Sequence, residues 1–197
     1  MTPFATTWAS EFYGAIEEER SAADALRDAS LRSDLAAWTS ALTGVVVASF
    51  TRLGLAAAGR GHRCSVLPVR RNEYLSLDVT AFRKAGTGWQ FPVAACELEN
   101  SADADLVAYS LWKVLCVRCG LRVVFCYRPD ASDGPGFVSA LGARVVEAME
   151  IADRVALVGD TLVVVGSRNE ASTFPYGFFQ MWKLNSNTGR FERFARR

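Results

Sequence analysis

The sequence predicts an α/β fold, a mixed central sheet flanked by helices in a three-layer core. Three observations predict it. Segments of helical periodicity alternate with short apolar runs. The run 121–127, Leu-Arg-Val-Val-Phe-Cys-Tyr, is apolar almost throughout, as a strand covered on both faces should be. Half of the 197 residues are hydrophobic and only 22% charged, so the chain can fill a large core. No internal repeat or low-complexity linker divides it, and residues 1–197 read as one domain: a helical part over 1–60, a core over 61–128, and a helix with late strands over 129–197.

The elements follow in order. Helical spacing covers 6–28 and then 33–59, where Ser33 is placed to cap and Trp38, Leu42, Val45, Val46 and Phe50 make the second helix apolar nearly all round. Strand-like runs at 64–69, 73–82 and 91–99 form a meander, with Lys84, Ala85, Gly86, Thr87 and Gly88 turning the chain between the last two. Ser101, Asp103 and Asp105 open a helix over 103–119, which Gly120 ends ahead of the strand at 121–127. A helix at 136–152 carries Val138, Leu141, Val145 and Met149 at helical spacing. Strands at 155–166 and 178–184 complete the sheet, and the turn from Asn185 to Gly189 returns the chain toward Phe191.

Charge and composition narrow the chemistry. With 22 basic and 21 acidic residues there is no strong overall field to attract nucleic acid, so any anion site must be local. His62 is the single histidine, which excludes a zinc triad or a two-histidine mechanism within one chain. No basic n-region and apolar h-region precede Glu11 and the run Glu17, Glu18, Glu19, so the chain reads as cytoplasmic. Five cysteines do not suggest a disulfide framework, and Cys116 and Cys119, a CxxC inside an apolar helical pattern, read as core thiols. Carboxylates are left to carry any catalysis.

The most informative carboxylates lie on the middle hairpin. Period-two alternation over 73–82 sets Tyr74, Ser76, Asp78 and Thr80 on one face, and in the next strand Glu97 and Glu99 share a face. A turn centred on Thr87 puts residue 78 opposite residue 96, and a shift of one residue puts it opposite Glu97. Where the polar faces coincide, Asp78, Glu97 and Glu99 converge. Like charges within ~4–6 Å raise one another's pKa, and a divalent cation removes that cost. Carboxylate oxygens suit Mg²⁺ or Mn²⁺, the ions of metal-assisted phosphodiester hydrolysis. The alternative is a solvated sheet face with unrelated charges, but Glu97 and Glu99 end an otherwise apolar strand.

In this arrangement the chain resembles the PD-(D/E)XK nuclease superfamily, the restriction-endonuclease-like fold, over about two thirds of its length. That family's core runs α, β, β, β, α, β; its first acidic residue would be Asp78, preceded here by Leu77, and its second motif Glu97, Leu98, Glu99. The resemblance implies a divalent-metal-dependent nuclease acting on DNA, with Asp78 and Glu97 as ligands of Mg²⁺ or Mn²⁺. Glu99 stands where the family usually has lysine. Some members carry glutamate there and others move the lysine to the following helix, which makes Glu99 or Lys113 the activating group. The family's helical glutamate would be Glu11 or Glu18. The same departure fits a catalytically inactive relative that binds nucleic acid or assembles as a homodimer.

Nineteen of the 22 basic residues are arginine. Arg60, Arg63, Arg70 and Arg71, and the tail of Arg190, Arg193, Arg196 and Arg197, are candidate contacts to a nucleic-acid backbone. Phe174, Tyr176, Phe178, Phe179 and Trp182 read first as core or dimer contacts, with base stacking as the weaker alternative.

Overall fold

The computed structural model describes residues 4–18, 20–32, 34–84 and 88–194. Ser33, the turn residues 85–87, and Arg196 and Arg197 lie outside them. Three helices come first, α1 (Phe4–Glu18), α2 (Arg20–Arg32) and α3 (Leu35–Arg52), so the helix expected over 6–28 is two. Asp34 caps α3, its carboxylate accepting from the Ala37 amide at 3.0 Å. Strands β1 (Leu55–Gly59), β2 (Val79–Arg83) and β3 (Ala94–Leu98) follow, then α4 (Ala104–Leu115) and β4 (Leu121–Arg128). The expected helix at 136–152 is divided into α5 (Asp133–Leu141), a π-type turn over Gly142–Val146, and the short α6 (Ile151–Val155). Strands β5 (Asp160–Ser167), β6 (Phe179–Asn185) and β7 (Arg190–Arg193) close the chain.

The seven strands form one mixed sheet in chain order, β1 to β7. The β3–β4 and β4–β5 pairs are parallel and the rest antiparallel. One face is covered by the N-terminal helices: Trp8, Phe12, Ile16, Trp38, Leu42 and Val45 pack on Cys96, Val123, Phe125 and Val164. Across the sheet, Val107, Leu111 and Val114 of α4 and Val138 and Leu141 of α5 cover Ala95, Val124, Val163 and Val165. The architecture is therefore the three-layer α/β core expected, with β4 buried on both faces. Among the described residues no helix is long and apolar enough to cross a membrane.

Three strand expectations are corrected, the last being that the strand expected over 155–166 begins only at Asp160, because Ile151–Val155 is helical. The first strand is not 64–69 but Leu55–Gly59, a segment assigned by periodicity to the end of a helix. Gly54, at φ +74°, lets the helix stop and the chain turn at once into β1. The small residues of β1 allow close approach: a Cβ on Gly59 would lie 2.9 Å from the Asp78 carbonyl oxygen and 3.0 Å from Thr43. The second strand begins at Val79 rather than 73, because Leu75 and Ser76 sit in the left-handed region at φ 59° and 54° and break the extended run. Leu77 consequently swings into the α4 layer instead of sharing a face with Val79.

Among the late aromatic residues, Phe178 and Phe179 are core, packed on Trp38, while Trp182 fills the opposite layer. Tyr176 is half exposed and stacks on Tyr13 at 5.0 Å. Replacing Phe12, fully buried among Trp8, Phe125 and Phe179, with alanine should cost about 3–5 kcal/mol in urea unfolding. Phe91→Ala, at a side chain 88% exposed, should change stability by less than about 0.5 kcal/mol.

Candidate active site between the second and third strands and the fourth helix

The β2–β3 register pairs Val79 with Cys96, so its continuation sets Asp78 opposite Glu97, the shifted of the two expected registers. Both side chains then project from the face that α4 covers. Asp78 extends the pairing with its own side chain: Oδ2 accepts from the Leu98 amide at 2.7 Å, beyond the last backbone pair. Glu97 is only 5% exposed, in a layer otherwise filled by Leu77, Ala95 and Val124.

Lys113 of α4 meets Glu97 there. Its Nζ lies 2.7 Å from Glu97 Oε2 and donates to the Ser76 carbonyl at 2.8 Å. The left-handed turn at Leu75 and Ser76 presents that carbonyl. Such backbone costs about 1–3 kcal/mol per residue and persists only where neighbours over-determine it. Lys113 therefore joins the chain just before Asp78 to the strand bearing Glu97. The other oxygen of Glu97, Oε1, is buried and has no hydrogen-bond partner.

Burial pushes the Glu97 carboxyl up to about 7, with the Asp78 charge adding to the rise and the Lys113 hydrogen bond opposing it. Burial also raises Asp78, against the Leu98 amide and the Lys113 charge, both of which lower it. A carboxyl held this high with an unpartnered oxygen is incompletely compensated for its burial.

The other candidates are placed differently. Glu99 lies past the end of β3 and turns to the start of α4, accepting from the Ser101 amide at 2.8 Å and the Ser110 hydroxyl at 3.4 Å. The three carboxylates therefore do not gather as one set: among the described residues no three His, Cys, Asp or Glu side chains form a group able to hold a metal ion. What the fold brings together is the pair Asp78 and Glu97, with Lys113. Glu11 and Glu18 are on the other side of the sheet, both bonded to Arg52, with Glu11 at 2.6 Å.

Arg60, Arg63, Arg70 and Arg71 are exposed on the connection from β1 to β2 that leads to Asp78. Arg190 and Arg193 lie on the edge strand β7, where Arg193 bonds Gln180 at 2.6 Å and covers the Trp182 ring. All five cysteines are free; Cys119 is buried, but Cys116, at the end of α4, is exposed rather than core. The roles of Ser76 and Leu98 are not legible in the sequence, because both act through backbone atoms. Comparison with protein-family models, curated proteins and solved structures returned no match.

The raised Glu97 carboxyl fixes a pH dependence. Its folded form binds a proton more tightly than the unfolded chain, so its contribution to stability is complete below pH 4.5 and is lost as pH rises through about 7. The stability of the wild type relative to Glu97→Gln should therefore fall between those values and level off above them. Chemical denaturation across that range checks it; a difference that grows with pH would contradict the assignment.

Proposed function

We propose that the protein is a divalent-metal-dependent nuclease of the PD-(D/E)XK type that hydrolyses phosphodiester bonds in DNA. The observation that carries this reading is the convergence of Asp78, Glu97 and Lys113 on one face of the sheet, with Glu97 Oε1 buried and unpartnered. The succession α3, β1, β2, β3, α4, β4 agrees with the core order that the resemblance implies.

The residues suit a Mg²⁺ or Mn²⁺ ion, which is commonly held by one or two carboxylates with water and substrate phosphate completing the shell. Glu97 and Asp78 would hold it, and the orphaned Glu97 oxygen is the ligand atom left free. When bound, such an ion supplies Lewis-acid charge at the phosphoryl oxygen and makes a water more acidic. Asp78 and Glu97 remain ionised once that charge compensates their burial. Lys113 takes the role of the family lysine in this reading, since Glu99 is committed to Ser101 and Ser110. Its ammonium, held by Ser76 and Glu97, would orient a water or donate to a phosphoryl oxygen. The exposed arginines of the β1–β2 connection are the supporting phosphate contacts.

Cleavage of single-stranded, duplex and branched DNA with Mn²⁺ tests the proposal. Glu97→Gln and Asp78→Asn should abolish both cleavage and calorimetric Mn²⁺ binding. Lys113→Ala should retain ion binding and lose roughly 10²-fold or more in rate. No cleavage by the wild type, with DNA binding or a stable dimer retained, would favour the inactive binding module instead.

A further inference from the structure

The parallel strands β3, β4 and β5 end at Leu98, Arg128 and Ser167, and a cleft of about 190 Å³ opens beyond them, bordered by Asn100, Arg128 and Arg168. The crevice outside the carboxyl ends of such strands is where open α/β sheets take ligands. A smaller recess shares Asn100, Tyr127 and Arg168 with the cleft and reaches Trp38. Neither contains Asp78, Glu97 or Lys113.

Polar groups without partners collect here. Among the described residues four buried side-chain oxygens lack a hydrogen bond, and two of them, Asn100 Oδ1 and Ser167 Oγ, belong to this end of the sheet. Asn100 Nδ2 donates to Thr39 Oγ1, so Asn100 has only an acceptor left to offer. Ser167 is fully buried beside Arg128, its register partner on β4. Arg128 itself is a half-buried cation without a counter-ion. Its Nη1 donates to the Tyr127 carbonyl at 2.6 Å, and its guanidinium lies 3.3 Å from the Phe137 ring centroid, which fixes its plane. Among the described residues it forms no ion pair with a carboxylate: Asp130 accepts from Asn169 instead, and Asp133 reaches Arg128 only through space. Burial accordingly lowers the Arg128 guanidinium from its ordinary range.

We infer that this cleft binds a small carboxylate bearing a hydroxyl or ammonium group, with the carboxylate against Arg128 and the hydroxyl or ammonium donating to Asn100 Oδ1. The inference goes beyond the nuclease reading and does not rest on it. A planar guanidinium offers parallel N–H groups that match the two oxygens of a carboxylate. Ser167, on the same side of the sheet as Arg128, has a further hydroxyl to donate. Asn100 Oδ1 then selects for a ligand that brings its own donor, because a buried acceptor is otherwise left unanswered. Size narrows the class further. Pockets for drug-sized ligands run to roughly 300–1,000 Å³, so this cleft suits a hydroxy acid or an amino acid rather than a nucleotide.

Titration of the full-length chain with glycolate, glycine, acetate and inorganic phosphate tests the inference, followed by NMR through the indole N–H of Trp38, which is bonded to Tyr127 at the cleft wall. Glycolate or glycine should bind about 10-fold more tightly than acetate, which has the charge without the donor. Asn100→Ala should erase that preference and leave acetate binding as it was, a pattern that general loosening of the fold does not produce. Arg128→Gln should weaken binding of every carboxylate about 10-fold or more, and it keeps the test decisive where Asn100→Ala fails to fold. Equal binding of glycolate, glycine and acetate, phosphate bound more tightly than any of them, or a Trp38 signal that no probe moves would overturn the inference. Presence or absence of DNA cleavage bears only on the nuclease reading, so the two fail separately.

Discussion

One ion pair, Glu97 with Lys113, holds the candidate site together. A carboxylate in the layer between β3 and α4 is surrounded by Leu77, Ala95 and Val124, where an ionised group is costly unless a cation and hydrogen bonds compensate it. Lys113 supplies that cation from the facing helix. The compensation is incomplete, because one Glu97 oxygen keeps no partner and the carboxyl titrates near neutrality instead of in the usual carboxylate range. A stability-driven design would replace such a pair with apolar residues. Its presence in an otherwise apolar layer is a reason to look for chemistry there.

The surrounding fold serves that geometry. The small residues of β1 let it lie close under α3, with Gly59 against the Asp78 carbonyl. The connection that follows ends in two left-handed residues, Leu75 and Ser76, which drive Leu77 into the core and turn the Ser76 carbonyl toward Lys113. Asp78 is then clamped to the Leu98 amide. The strained backbone, the side-chain clamp and the ion pair are three local features that fix one another, and each lies within a few residues of the next.

Much of this was legible in the residues alone, and what was not has physical causes. The apolar run 121–127 identified the central strand because burial on both faces removes any alternation. Alternation likewise separated Glu97 from the face of Cys96, but the face it takes is the apolar layer under α4 rather than a polar one. The helix carrying Lys113 was readable from its acidic first turn, where Asp103 does cap by accepting from the Asp105 amide at 2.8 Å. The first strand is not legible because three of the five residues of Leu55–Gly59 are alanine, which favours helix, and only tertiary cover makes the segment extended. Gly54 was the available signal for the break. The hairpin register had two solutions in sequence, and pairing of Val79 with Cys96 selects one. Glu99 would share a face with Glu97 only in a longer strand; β3 ends at Leu98, and the Glu99 side chain instead bonds Ser101 and Ser110.

The proposed nuclease requires Asp78 and Glu97 to hold a divalent ion beside Lys113. Anomalous diffraction from crystals soaked in Mn²⁺ addresses it most directly. A single strong peak is expected within bonding distance of a Glu97 oxygen and an Asp78 oxygen, absent from Glu97→Gln crystals. No peak at that position in the wild type, with Glu97 still paired only to Lys113, would contradict it.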